Sequence, residues 1–237
     1  MAQLLAFDTS TEAMSIALHS AQGLLARDSA GGAQASARLI PELLALLAEA
    51  GCSLAELDAI AFGCGPGAFT GLRTACSVAQ GLAFGAGKPV VPVDSLMLVA
   101  QDARNQAGVD ELWVAMDARM DEIYAAAYRW QGTRWSVLSV PALYAVDALH
   151  AHWLAESPAV VAGSALDAFG DRLRTGRAQR ISQAGSRARA LAEVAQQLWS
   201  AGVRVDAAHA LPVYLRDKVA QTTQEREAIR LAKEAAA

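Results

Sequence analysis

The two halves of the chain begin with the same pattern: an apolar strand that ends in an aspartate, a short turn and a second apolar strand. The first copy is LLAFDTSTEAMSIAL (residues 4–18) and the second is WVAMDARMDEIYAAA (residues 113–127). This alignment sets Asp8 on Asp117, and the offset, 117 minus 8, is 109 residues in a chain of 237. Few positions are identical, so a chance pairing of two apolar hairpins would look similar. A true duplication predicts two α/β halves with a cleft between them, faced by Asp8 and Asp117.

Hydrophobic periodicity assigns the other elements. Alternation over residues 13–19 predicts a strand, whereas an apolar stripe of leucines predicts a helix over residues 35–50. We divide the chain into a first unit (1–108), a second unit (109–211) and a C-terminal segment (212–237) that we expect to be helical and to return toward the first unit. The remaining predicted strands are 3–8, 23–27, 58–63, 89–93, 134–140 and 159–163, and the remaining predicted helices are 70–86, 95–106, 146–156, 165–174 and 188–201.

Composition excludes several classes of protein. With 54% hydrophobic and 19% charged residues, the chain has ample material for a core and is not disordered. A net charge of −4 counts against a protein that binds nucleic acid unaided. Three cysteines without a CxxC motif fit neither a zinc ribbon nor a disulfide framework. There is no basic leader and no run of 18 apolar residues, so we expect a cytoplasmic protein without a membrane span.

The turn after the first strand carries an acid followed by three hydroxyls, from Asp8 to Glu12. In a cleft, Asp8, Thr9, Ser10 and the matching Asp117 could hold Mg²⁺ and the phosphates of a nucleotide, because Mg²⁺ prefers oxygen ligands. The alternative is an Asx-type turn in which these side chains bind their own backbone. The sequence leaves both open.

A glycine-rich block, GCGPGAFTGLR, runs from residue 63 to residue 73. Its spacing matches neither G-x-G-x-x-G nor the Walker motif, so a tight turn is favoured over a phosphate loop. The helix that follows carries small residues at i, i+4 spacing, a strip that lets another helix approach closely. The strip could pack inside the domain or across a subunit interface, and the candidate interface residues are Phe69, Gly71, Arg73, Ala75 and Ala79.

Two further patterns bear on function. Six arginines between residues 172 and 189, among them Arg177 and Arg180, could contact RNA, although a solvated arginine-rich face is the simpler interpretation. The four histidines form no HExxH or HxxxH pair, and there is no Gly-x-Ser-x-Gly. Neither a metal site built on histidines nor a hydrolytic nucleophile is indicated.

Taken together, four motifs resemble the TsaB (YeaZ) family: DTSTEA at the first turn, GPGAFTGLR, VAMDARMDEIY, and PVYLR at residues 212–216. The resemblance implies two duplicated actin-like subdomains of the sugar kinase/Hsp70, RNase H-like kind, with mixed sheets flanked by helices. It also implies a part in making N6-threonylcarbamoyladenosine at position 37 of tRNAs that read codons beginning with A. Family members act as the non-catalytic partner of TsaD, which holds the metal and transfers the threonylcarbamoyl group, and the ATPase TsaE joins them.

The sequence departs from the family pattern at a few places. Ala35 stands where many members have histidine, and Cys64 and Ala68 replace the commoner arginine and serine. The tail after Val219 has no counterpart that we can match, and its role is open.

These observations give one main hypothesis and two rivals. The chain is expected to have no intrinsic cofactor and to pack the helices at 35–50 (with Leu39 and Leu43) and 70–86 against TsaD, with ATP and Mg²⁺ bound only in the assembled complex. The same face could form a homodimer when TsaD is missing. The rivals are an autonomous actin-like ATPase or kinase that uses Asp8 and Asp117, and a module that binds tRNA directly through Arg177 and Arg180.

Overall fold

The first sheet is built from five strands in the order β3-β2-β1-β4-β5. In the computed structural model, which describes residues 2–182 and 184–216, β1 pairs antiparallel with β2 and parallel with β4. The bounds are β1 Leu4–Asp8, β2 Ala13–Ser20, β3 Gly23–Ala30, β4 Ala59–Gly65 and β5 Val90–Asp94.

The second sheet repeats this arrangement. Its order is β10-β9-β6-β7-β8, so β6, β7 and β8 take the places of β1, β2 and β3, while β9 and β10 take those of β4 and β5. The predicted fold of two duplicated halves with mixed sheets and flanking helices is therefore confirmed. The bounds are β6 Glu111–Asp117, β7 Glu122–Trp130, β8 Trp135–Ala145, β9 Val160–Ala162 and β10 Gln179–Ile181.

Six α-helices cover the sheets among the described residues, and most lie where periodicity predicts them. The exception is the predicted helix at 165–174, which ends at Phe169 because Gly170 leaves the helical region with φ 52° and ψ −125°. The bounds are α1 Ala35–Glu49, α2 Phe69–Ala86, α3 Ser95–Ala107, α4 Val146–Glu156, α5 Ala165–Phe169 and α6 Arg187–Ser200.

Each outer face of the sheets has its own apolar core, and a third core lies between the sheets. Helices α1 and α2 share the core on one face of the first sheet, whereas α4 and α5 cover the outer face of the second. The central core contains α3 and α6 and joins the two halves.

Helix α6 comes late in the chain but lies against the first sheet and α3. Two carboxylates accept hydrogen bonds from backbone N–H groups at the start of this helix. Asp28 of β3 accepts from Ala188 at 3.0 Å, and Asp102 of α3 accepts from Gly185 and Ser186 at 2.8 and 3.0 Å. Carboxylates at a helix N-terminus satisfy donors that have no partner within the helix. The unit boundary predicted at residue 211 places α6 in the second unit, although the strands it lies against are β1, β2, β3 and β5 of the first sheet.

A buried polar contact also links the halves. The Tyr128 hydroxyl on β7 donates to the Asp94 carboxylate at the end of β5, with 2.5 Å between the oxygens. Burial raises the pKa of the Asp94 carboxyl, although hydrogen bonds from Tyr128 and from the backbone oppose the shift. Burial likewise raises the pKa of Tyr128 well above its ordinary value.

The C-terminal segment returns to the first half and then crosses to the second. Val213 N–H donates to the Cys64 carbonyl at 2.7 Å, and Arg216 donates to Glu122 at 2.5 Å. Residues 212–216 have no regular secondary structure, so the helix expected over 212–237 does not begin at residue 212. Residues 217–237 of this segment, Val219 among them, lie outside the described residues. Within the part described, no helix is long and apolar enough to span a membrane.

Candidate functional site

A cavity of about 520 Å³ lies between the two sheets. The turn after β1 supplies Ser10 and Glu12 to its wall, the turn after β6 supplies Asp117 and Arg119, and α6 supplies Arg187. The duplicated strands therefore end at a common cleft, as the repeat predicts.

Asp8 is buried at the end of β1, with 1% of its surface exposed. One carboxylate oxygen accepts the Ser10 backbone N–H at 2.7 Å, which is the Asx-type turn left open by the sequence. The other oxygen accepts the Ser10 hydroxyl at 3.0 Å and two donors of Arg187, at 2.7 and 3.1 Å. The charge of Asp8 is thus compensated within the chain.

The glycine-rich block packs against the turn after β1 through glycines at every fourth position. A Cβ at Gly63 would lie 2.5 Å from the Asp8 carboxyl, one at Gly67 would lie 2.5 Å from the Ser10 carbonyl oxygen, and one at Gly71 would lie 1.8 Å from the Thr9 carbonyl oxygen. The hydroxyl of Thr9 donates to the Gly71 carbonyl at 2.7 Å. These glycines are explained by close approach of backbone to backbone.

The turn after β6 has an unusual backbone. Arg119, Met120 and Asp121 have φ angles of 62°, 55° and 63°, a left-handed conformation that non-glycine residues rarely adopt. Asp117 accepts the Arg119 backbone N–H at 2.9 Å, and the Arg119 guanidinium lies 3.3 Å from Asp117 and 3.1 Å from Glu12 across the cleft. Arg216 holds the same turn from outside by donating to the Ala118 carbonyl at 3.1 Å.

These contacts bear on the predicted nucleotide and Mg²⁺ site. Arg187 binds Asp8 and Arg119 binds Asp117, so each aspartate already has a counter-charge within the chain. Residues 2–182 and 184–216 contain no group of three His, Cys, Asp or Glu side chains that could hold a metal ion. A magnesium ion on Asp8 would have to displace Arg187, and the nucleotide and Mg²⁺ site stays a prediction.

Most of the residues of α1 and α2 that were predicted to meet a partner lie in the core. Leu39 and Leu43 of α1 and Ala75 and Ala79 of α2 are at most 1% exposed, and Gly71 faces the turn after β1. This revises the prediction, because these side chains pack against the first sheet and a partner cannot reach them. The exposed predicted residue is Arg73, whose guanidinium lies 3.9 Å above the half-buried Phe69 ring.

The opposite sides of the same helices are open to solvent. Helix α1 exposes Ile40 and Leu44, at 42% and 49%, and helix α2 exposes Phe84 at 83%. Cβ atoms added at Gly81 and Gly85 would meet nothing within 4 Å. This surface, which we call the α1/α2 face, is apolar and unpartnered in the structure of the single chain.

The predicted arginine patch is largely engaged within the chain. Arg172 pairs with Asp121, Arg180 donates to the Leu166 carbonyl, and Arg189 pairs with Glu193. Arg177 is exposed. A tRNA contact through Arg177 and Arg180 stays a prediction.

Comparison with known proteins places the chain in a family. Residues 30–237 match the family model described as TsaD, tRNA N6-adenosine threonylcarbamoyltransferase. A protein of Escherichia coli K12, named tRNA threonylcarbamoyladenosine biosynthesis protein TsaB, is 33% identical over 92% of this chain and 96% of its own length. The chain belongs to the TsaB (YeaZ) family. The solved structure of YeaZ from Pseudomonas aeruginosa agrees, with a TM-score of 0.81 and 38% identity over 91% of this chain and all of that one.

A second structure from Pseudomonas aeruginosa, titled an uncharacterized protein with similarity to peptidase YeaZ, superposes with a TM-score of 0.83 at 38% identity. It covers 91% of this chain and 100% of the other. The TsaB relative of Haemophilus influenzae is 43% identical, over 51% of each chain.

Sequence reasoning missed the arginines that shape the cleft of this TsaB-family chain. Arg187 lies 179 residues from Asp8, and Arg216 lies 94 residues from Glu122. In the sequence Arg187 stands out only as part of a basic run, and no local pattern connects such distant partners. The PVYLR motif that ends in Arg216 was the only signal available for the second pair.

Proposed function

We propose that this chain acts in tRNA threonylcarbamoyladenosine biosynthesis as the non-catalytic partner of TsaD. The finer assignment is that the modification occurs at position 37 of tRNAs that read codons beginning with A. In this proposal TsaE joins the pair, tRNA is contacted through the assembled complex, and ATP with Mg²⁺ is bound only there. The observation that carries the partnership is the α1/α2 face.

The α1/α2 face has the properties of a helix-packing surface. Ile40 and Leu44 are one turn apart on α1, so their side chains lie on the same side of the helix. Gly81 and Gly85 are likewise one turn apart on α2, and their lack of side chains permits close approach of a partner helix. Large exposed apolar side chains that lie together commonly mark a protein–protein interface. Because α1 and α2 pack side by side on one face of the first sheet, a pair of partner helices could form a four-helix layer with them.

The cleft supports a non-catalytic role. Asp8 is the acid that an actin-like kinase of this chain would use, and here it forms a buried ion pair with Arg187, whose side chain is itself only 11% exposed. A cation that approached Asp8 would have to displace that guanidinium. No observation favours the rival ATPase or kinase activity.

Two variants of Gly81 test the partnership. Gly81→Arg places a charged side chain in the middle of the α1/α2 face, and Gly81→Ala adds only a methyl group to open space. We expect Gly81→Arg to weaken TsaD binding at least tenfold in titration calorimetry, whereas Gly81→Ala binds as the wild type does. Equal TsaD binding by wild type and Gly81→Arg would refute this face as the interface.

The division of labour is tested by reconstitution of TsaD, TsaE, the adenylate-forming enzyme and tRNA with this chain. Modification should require the chain and should survive the paired change Asp8→Asn with Arg187→Met, provided the variant still folds and binds TsaD. A variant that is folded and binds TsaD but gives no modified tRNA would show that the cleft contributes to the chemistry. In the absence of TsaD, we expect the α1/α2 face to support a homodimer that Gly81→Arg dissociates.

A further inference from the structure

The cavity between the sheets has an apolar floor. Leu98 and Val99 of α3, Met116 of β6, Ala162 of β9 and Ile181 of β10 line it from both halves of the chain. Its volume of about 520 Å³ falls within the range of roughly 300–1,000 Å³ that is typical of small-molecule sites. Such sites are mostly apolar and carry a few polar groups that orient the ligand.

The charged residues around the cavity are already compensated. Asp28 and Asp102 accept backbone N–H groups at the start of α6, and Glu12 and Asp117 share the Arg119 guanidinium. Arg187 is bound to Asp8. An anionic ligand would therefore have to take Arg119 or Arg187 from its carboxylate partner, whereas an uncharged ligand would not.

The turns that border the cavity also leave few donors for a phosphate. The backbone N–H groups of Ser10 and Arg119 donate to Asp8 and Asp117, and that of Ala68 donates to the Ser10 carbonyl at 2.7 Å. A phosphate needs several such N–H groups pointing at it. The arrangement disfavours a nucleotide in this cavity.

One polar group in the wall lacks a partner. Tyr124 of β7 is 8% exposed and lines the cavity, and its hydroxyl forms no hydrogen bond with any residue in 2–182 or 184–216. Burial raises the pKa of this phenol, so at neutral pH it is a hydrogen-bond donor. The hydroxyl oxygen is itself accessible from the cavity, so a ligand with an acceptor atom would take the place of solvent there.

We propose that the cavity between the sheets binds an uncharged, largely apolar small molecule whose carbonyl or similar acceptor bonds the Tyr124 hydroxyl. The site is distinct from the α1/α2 face, which lies on the other side of the first sheet, and the proposal does not depend on the TsaD partnership.

Prodan, an uncharged naphthalene ketone whose fluorescence reports an apolar environment, is a suitable probe. We expect one saturable site on the full chain, and we expect ATP not to compete for it. Tyr124→Phe keeps the ring and removes the hydroxyl, and it should weaken prodan binding about 2- to 10-fold, the effect of one neutral hydrogen bond.

Two tryptophan variants locate the site. Ala168 is exposed on α5 and lines the cavity, so Ala168→Trp should abolish prodan binding. Ala155 is exposed on α4 away from the cavity, so Ala155→Trp is the matched control and should bind like the wild type. Gly81→Arg should also bind prodan normally, which separates this site from the α1/α2 face.

Several results would overturn the proposal. Absence of saturable binding would do so, as would binding that Ala168→Trp leaves intact, because the dye would then sit elsewhere. Competition by ATP would instead indicate a phosphate site. Equal affinity of wild type and Tyr124→Phe would remove the assigned role of the hydroxyl.

Discussion

Replacing Gly71 with alanine should destabilise the protein, although alanine favours helices and Gly71 lies within α2. The new Cβ would lie 1.8 Å from the Thr9 carbonyl oxygen, whereas carbon–oxygen contacts need about 3.3 Å. Helix α2 and the turn after β1 would have to separate by about 1.5 Å, the difference between these two distances. That movement would also disrupt the hydrogen bond from Thr9 to the Gly71 carbonyl.

The expected magnitude follows from three contributions. Overpacking of backbone against backbone belongs at the upper end of the usual range, about 3 kcal/mol. The lost hydrogen bond adds about 1 kcal/mol, and the better helix propensity of alanine returns at most about 1 kcal/mol. The free energy of unfolding should therefore fall by about 3 kcal/mol, and the midpoint of thermal unfolding by about 6–12 °C for a chain of this size.

Gly81 provides the matched control, because it lies ten residues further along the same helix and a Cβ there meets nothing within 4 Å. Gly81→Ala should raise the free energy of unfolding by about 1 kcal/mol. Urea unfolding followed by far-ultraviolet circular dichroism measures both variants. The reasoning fails if Gly71→Ala unfolds within 1 kcal/mol of the wild type, or if the two variants shift stability in the same direction.

Three further predictions concern buried groups. Arg187→Met leaves the Asp8 carboxylate buried without a counter-charge and should lower the free energy of unfolding by about 3–5 kcal/mol, most of which Asp8→Asn in the same chain restores, as urea titrations can show. The raised pKa of Asp94 means that the folded state keeps a proton which the unfolded state loses above about pH 4, so wild-type stability should fall as the pH rises past that point. Asp94→Asn has no such titration, so its free energy of unfolding relative to that of the wild type should rise between acidic and neutral pH. A constant difference in the free energy of unfolding across this range would contradict the assignment. Burial raises the pKa of the Cys64 thiol to about 12, so iodoacetamide at pH 8 should label the half-buried Cys52 before Cys64, as mass spectrometry of the native protein would report.

The strands and helices that periodicity predicts well are those with a long apolar pattern. The strand β10 was missed because its three residues, Gln179–Ile181, include a single apolar side chain, whereas the equally short β9 lies in an apolar run. Gly170 likewise ends α5 five residues earlier than the apolar pattern suggests, since a backbone angle rather than a side-chain pattern decides where that helix stops.

The small-residue strip on α2 shows why a helix face cannot be assigned from spacing alone. Residues at i, i+4 and i+8 share one side of a helix, but the pattern does not say whether that side meets a sheet or solvent. Gly71, Ala75 and Ala79 are small because α2 lies close to the first sheet, not because a partner approaches there. The surface left for a partner is the side carrying Gly81 and Phe84.

The cleft shows what duplication does and does not determine. The repeat correctly brings the ends of β1 and β6 to one cavity, because each half folds in the same strand order. The repeat cannot determine the charge of that cavity. Arg187, which neutralises Asp8, comes from outside the repeated segment. Arg119, which binds Asp117 and Glu12, aligns with Ser10 in the first copy and so has no charged counterpart there. The aspartate at the end of each of these two strands is thus paired with an arginine of the same chain. We therefore expect such a cleft to attract a metal–phosphate group only weakly, while its apolar floor and the Tyr124 hydroxyl remain available to an uncharged molecule.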